Sequence, residues 1–184
     1  LRAYYASVSF VDALVGKILG ALETTGQRDN TIVIFTSDHG YHLGEHDLWQ
    51  KVSIHEESAR VPLIICVPGK KTAVCHSLSE LIDLYPTVSQ LCGLKIPGNI
   101  QGKDISVMFD DPTVKVRDAA LSSGKGRLLR TEKWALLDYG KKGELYDMEK
   151  DPKQYENLFD KSEYAETLVM LKEKLKAKLT EISN

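Results

Sequence analysis

Between Thr31 and Ser37 the chain reads TIVIFTS, and Ile32 to Phe35 contain no polar residue. Successive side chains of a strand point to opposite faces, so a half-exposed strand alternates apolar and polar residues. An unbroken, β-branched run of this length instead predicts a strand covered on both faces, as in a parallel sheet layered with helices. A second run, VPLIICVPG at 61–69, repeats the signal and is closed by Pro68 and Gly69.

The flanking sequence supplies helices. Tyr4, Val8, Val11, Val15, Ile18 and Leu22 recur at three- and four-residue steps, which predicts an amphipathic helix over 2–25. Gly26 can take the left-handed conformation that ends it, and QRDN follows as a turn. Residues 38–60 read as polar loop. Beyond the second run, Asp83 reads as the N-cap of a helix LYPTVSQLC, with Pro86 in its first turn and Gly93 as its stop. Helix, apolar strand, loop, apolar strand, helix is an α/β layer pattern.

The rhythm changes near Pro97. DAALSS, GRLLRTE, KWALLDY and GELYDME are short segments separated by turn residues such as Gly124, Gly140 and Gly143, which predicts an antiparallel meander. A last helix, 162–182, carries Tyr164, Leu168, Leu171, Leu175 and Leu179 on one face, with lysines at 172, 174, 176 and 178 elsewhere. That helix is expected to cover the meander. The division expected is an α/β part over 1–110 and a small sheet-and-helix subdomain over 111–184.

Hydrophobic residues at 42% and charged residues at 27% suit a globular protein with a core, and a net charge of −2 offers nothing to nucleic acid or an anionic membrane. No run of about 18 uninterrupted apolar residues occurs, so no transmembrane segment is expected. The three cysteines, Cys66, Cys75 and Cys92, are odd in number and lack metal-ligand spacing, which argues against a disulfide framework.

The chemistry concentrates in FTSDHGYHLGEHDLWQK, residues 35–51. In open α/β sheets ligands bind beyond the carboxyl ends of strands, where Asp38 and His39 stand. A carboxylate and an imidazole there can both reach one divalent cation such as Ca²⁺, Mg²⁺ or Mn²⁺; equally, the pair can be a turn cap with a hydrogen-bonded histidine. Lys51 is a compact point charge suited to an anionic sulfuryl or phosphoryl oxygen, or a plain surface cation. His42, His46 and His55 can be ligands, proton donors or supports of such a site, or simply hydrogen-bonded structural histidines, and Glu56, Glu57 and Arg60 read as local ion pairs bracing the loop.

The string TIVIFTSDHGYHLGEHDLWQKVSIHEESARVPLIICVPG resembles the sulfatases of the alkaline phosphatase superfamily, in particular the iduronate-2-sulfatase and choline-sulfatase branch. YYASVSFVDALVGKIL resembles the preceding helix, LIDLYPTVSQLCGL a later one, and GELYDMEKDPKQYENL the C-terminal signature. The resemblance implies the C-terminal part of an alkaline-phosphatase-like α/β sandwich. It implies that Asp38 and His39 ligate a divalent cation, usually Ca²⁺, and that Lys51 contacts the sulfate of a sulfate-ester substrate. It further implies a formylglycine nucleophile made from cysteine in a C-x-P-S-R-type motif. The hydrated aldehyde would attack sulfur and expel the alcohol.

That nucleophile has no counterpart here. CVPGK at 66–70 has the cysteine and the proline, but Gly69 and Lys70 replace serine and arginine, so Cys66 reads as a core residue. The paired aspartates that complete the metal shell are also missing. The chain is therefore expected to be the C-terminal portion of a longer sulfatase, inactive alone, that self-associates or pairs with its N-terminal portion. Many members of the family are exported or lysosomal, which implies the same compartments here. Two alternatives stand beside this reading: a phosphonate monoester or phosphodiester hydrolase of the same superfamily, and a catalytically silent binding domain.

Overall fold

The computed structural model describes residues 1–51 and 53–182. It divides into two compact units, 1–37 with 62–71, and 38–61 with 72–184.

The first unit holds helix α1 (Arg2–Thr24) and strands β1 (Val33–Thr36) and β4 (Leu63–Cys66). Helix α1 forms over the range its periodicity predicts, and Gly26 follows with φ +67°. Its apolar face is open: no residue of α1 is buried. By length and composition α1 is also long and apolar enough to cross a membrane. Asp12 and Lys17 break its apolar run, so it carries no long uninterrupted apolar stretch.

Strands β1 and β4 pair with each other antiparallel, Val33 opposite Cys66 and Thr36 opposite Leu63. The parallel relation and the two-sided cover predicted for these runs are both corrected. A parallel pair needs a crossover of a dozen or more residues, usually a long helix. Among the described residues, those between hold strands β2 (His42–Leu43) and β3 (Trp49–Gln50), a 3-10 turn (Glu45–Asp47) and the four-residue helix α2 (Glu56–Ala59), with no long helix. Phe35, Ile64 and Cys66 are exposed, so Cys66 is not a core residue in this unit. All three cysteines are free thiols.

The second unit contains the meander as predicted: β5 (Ala120–Ser123), β6 (Arg127–Arg130), β7 (Trp134–Asp138) and β8 (Gly143–Asp147), antiparallel in sequence order. The two-residue period sorts its side chains. Leu129, Leu136 and Leu145 face helix α4 (Ala165–Glu181), which returns Leu171 and Leu175, with Tyr164, Leu168 and Leu179 at the margin. Leu128, Ala135, Leu137 and Tyr146 face the other way, onto Ile54 and Ala59 of the polar loop. One sheet therefore has the C-terminal helix on one side and the 38–60 segment on the other.

Helix α3 (Leu84–Leu91) starts and stops where predicted, with Pro86 in its first turn and Gly93 at φ +67°. Asp83, however, makes no side-chain cap to it. Its fully buried carboxylate accepts the backbone N–H groups of Glu80 (2.8 Å) and Lys103 (2.7 Å), and is ion-paired with buried Arg117. The Arg117 guanidinium also reaches Glu80 at 2.8 Å. A buried carboxylate needs a cation and several donors more than a helix end needs one acceptor.

Candidate active site

Asp38, His39, Lys51 and their supports all lie in the second unit. The segment leaves β1 in the chain and meets a close backbone approach at Gly40. The Gly40 N–H donates to the Ser58 carbonyl (2.9 Å), and a Cβ at residue 40 would overlap the Glu57 carbonyl. Glycine is thus required by contact rather than by a left-handed φ.

His39 Nδ1 lies 2.8 Å from the Gly40 carbonyl oxygen. A carbonyl can only accept, so Nδ1 carries the proton and, in the neutral ring, Nε2 presents its lone pair. That nitrogen is 3.5 Å from Asp38 Oδ2. Two neighbouring ligands at about 2.4 Å from one cation and roughly at right angles are about 3.4 Å apart. The other carboxylate oxygen, Oδ1, accepts the His39 backbone N–H at 3.0 Å. Desolvation opposes ionisation of Asp38. Against it, the His39 imidazole, the backbone N–H groups of His39 and Asp38, and the Lys51 ammonium together hold the carboxyl below its ordinary value. Lys51, though thirteen residues later, therefore lies within electrostatic reach of Asp38.

Two such groups would fill only about two of the six to eight positions around a hard cation. Among the described residues no group of three or more His, Cys, Asp and Glu side chains could hold a metal ion. The donor set fits a hard cation that draws its remaining oxygens from elsewhere.

The three remaining histidines of the loop pack against one another. His46 and His55 stack with ring centroids 4.2 Å apart, and His42 meets both edge-on at 5.9 and 6.1 Å. His42 is fully buried, with Nε2 2.6 Å from Ser53 Oγ. Burial, aided by the neighbouring His55 and His46 and opposed by Glu57, holds its imidazole below the ordinary histidine value. His46 Nε2 stands 3.4 Å from Glu57 Oε2, and His55 Nε2 donates to Glu144 Oε2 at 2.8 Å. That bond, helped by the Tyr146 hydroxyl donating at 2.6 Å and opposed by burial, keeps the Glu144 carboxyl below its usual range.

The ion pairs predicted inside the loop are mostly redirected. Glu56 pairs with Arg130 of β6 (3.1 Å) and only loosely with exposed Arg60 (3.9 Å), while Glu57 faces His46. The Glu56 backbone N–H donates to buried Gln154 Oε1 at 2.8 Å. Sequence reasoning passed over Glu144 and Gln154 as supports of the loop. Their partners lie 89 and 98 residues away, and no local pattern signals such a pairing.

Comparison with known proteins supplies the family. The sulfatase family model matches residues 1–94. An N-acetylglucosamine-6-O-sulfatase of Bacteroides thetaiotaomicron is 33% identical over 183 residues, covering 90% of this chain and 33% of that protein. A solved structure holding its substrate D-glucosamine-2-N,6-O-disulfate superimposes with TM-score 0.80 at 31% identity, covering 95% of this chain and 40% of the other. A phosphonate monoester hydrolase of Agrobacterium radiobacter superimposes with TM-score 0.81 at 26% identity, covering 95% and 40%. The α/β sandwich with a C-terminal antiparallel sheet is thereby shared with solved sulfatases. The chain belongs to the sulfatase family. It spans about a third of the length of the curated relatives it matches.

Proposed function

We propose that this chain provides the cation-binding and sulfate-gripping loop of a sulfuric ester hydrolase acting on sulfated sugars. Asp38 and His39 would ligate a divalent cation, Ca²⁺ on this reading, and Lys51 would contact the sulfate. The observation that carries the proposal is the spacing of Asp38 Oδ2 and His39 Nε2, 3.5 Å, with the imidazole tautomer set by the Gly40 carbonyl. Supporting it are family membership and relatives whose names specify sulfated glucosamine.

On this reading the bound cation offsets negative charge on the sulfuryl oxygens and orients the nucleophile. His39 keeps Nε2 aimed outward, Asp38 stays ionised at neutral pH, and Lys51 adds a preorganised positive charge toward the ester oxygens. The formylglycine and the remaining ligands belong to sequence beyond these 184 residues. The division near residue 110 belongs to the same reading, as does pairing of the open α1, β1 and β4 surfaces with that sequence or with a second copy. An iduronate-2-sulfatase-like Asp-His pair and an exported location complete it.

The test is turnover of an aryl sulfate by the complete enzyme before and after chelation, with Ca²⁺ restored afterwards. Loss and recovery are expected. Turnover indifferent to chelation removes the cation from the proposal. The phosphonate hydrolase neighbour supports a second reading, which an aryl phosphonate hydrolysed faster than the aryl sulfate would establish.

A further inference from the structure

Among the described residues four non-glycine positions have positive φ: His46 (55°), Asp47 (56°), Gln50 (72°) and Gln154 (59°). The first three fall between His39 and Lys51, on the stretch that joins the two halves of the candidate site. Left-handed backbone in residues with a Cβ persists only where surrounding contacts over-determine it. Three of those contacts reach in from the segment 143–158. Glu144 of β8 takes the His55 N–H, and His55 in turn stacks on the strained His46. Gln154, itself left-handed, takes the Glu56 N–H where α2 begins. Tyr155 closes on the His46 ring with centroids 5.3 Å apart, and Glu57 faces the His46 Nε2.

From these contacts we propose that Glu144 and Gln154 are positioning residues. They clamp the 38–56 loop through His55, His46 and the α2 backbone, and so fix the distance between the Asp38–His39 pair and Lys51. The inference rests on the sulfatase reading for its functional consequence but not for the clamp itself. Neither residue is among the groups proposed to hold the cation or the sulfate. A mutation at either would act by letting His46 and Gln50 relax out of the left-handed region, so that Asp38 and Lys51 no longer share one geometry.

The test compares Glu144→Ala, Glu144→Gln and Gln154→Ala with the unaltered protein by amide hydrogen exchange. The reporters are Gly44 and Leu48, whose N–H groups donate to the Leu48 and Glu45 carbonyls. Exchange at those two amides is expected to rise roughly tenfold or more in Glu144→Ala and Gln154→Ala, above any change at the β6 and β7 amides. Glu144→Gln, which still accepts from His55, should recover most of the protection. In the complete enzyme the same two alanine variants should need severalfold more Ca²⁺ for half-maximal aryl-sulfate turnover. A merely structural role would lower the melting temperature and leave both the local exchange ratio and the Ca²⁺ requirement unchanged, and that result overturns the clamp. If the unaltered enzyme shows no sulfate-ester turnover, the sulfatase reading fails, while the exchange ratio still decides the clamp.

Discussion

Arg117 is the place to test how the second unit is held together. Its guanidinium is buried between Asp83, which is fully buried, and Glu80. Glu80 also accepts the Leu121 N–H at 2.6 Å, so the cluster joins the segment before α3 to the first strand of the meander. Replacing Arg117 with alanine leaves two carboxylates facing each other without their cation. Removing one partner of a buried ion pair costs about 3–5 kcal/mol. At roughly 2–4 °C per kcal/mol for a chain of this size, the melting temperature should fall by about 6–20 °C. An internal control is at hand in Lys115, which pairs with Glu132 at 2.7 Å, with both side chains more than half exposed. Exposed pairs contribute about 0–1 kcal/mol, so Lys115→Ala should be almost silent. Urea unfolding of both variants against the unaltered protein measures the difference. If Arg117→Ala is no more destabilised than Lys115→Ala, the cluster is not the buried junction described here. A double substitution, Arg117→Met with Asp83→Leu, should recover part of the loss, because it removes the fully buried one of the two orphaned carboxylates and leaves only Glu80.

Two further outcomes are expected. Lys51→Ala in the complete enzyme should lower sulfate-ester turnover by on the order of a hundredfold or more, as removal of a preorganised charge does, with the melting temperature unchanged because Lys51 is exposed; unaltered kcat and KM would remove Lys51 from the site. Stability should also decline on acidification. His42 has a folded-state value held below its ordinary 6.5, so the unfolded chain binds the proton first. The stability it lends is complete above about 6.5 and lost as pH falls toward its depressed folded value. Glu144, also depressed, adds a further loss at more acid pH, below the usual glutamate range. Urea midpoints at pH 8, 6 and 5 should fall in that order, and His42→Gln should flatten the upper part of the curve; an unchanged slope in that variant would assign the dependence to another group.

The parts of the fold visible in the sequence are those whose partners are close in the chain or whose period is strong. Helix α4 and the four-stranded meander follow from residue spacing alone, and the side chains they bury are those the period selects. Gly26 and Gly93 end their helices as read. The strands at 33–36 and 63–66 also form, but their direction is set by what connects them, and the connecting segment reads in the sequence only as polar loop. Asp83 stands at the N-cap position of α3, as its sequence position suggests, but its carboxylate makes no cap bond because it is claimed by an arginine 34 residues later. The candidate site divides the same way. Asp38, His39 and Lys51 stand out by residue type and resemblance. Their supports do not, since Glu144 and Gln154 look like ordinary turn and surface residues until the chain folds back.

The meander is a shared partition. Helix α4 rests on one of its faces, and Ile54 and Ala59 of the candidate loop rest on the other. A lesion that strips away the last twenty residues would uncover Leu129, Leu136 and Leu145. It would then soften the floor beneath His55 and Glu144 without altering a single group that handles substrate. Premature termination near the end of this chain should therefore register as a failure of the chemistry some 120 residues earlier, and a screen that counts only site substitutions would miss its origin.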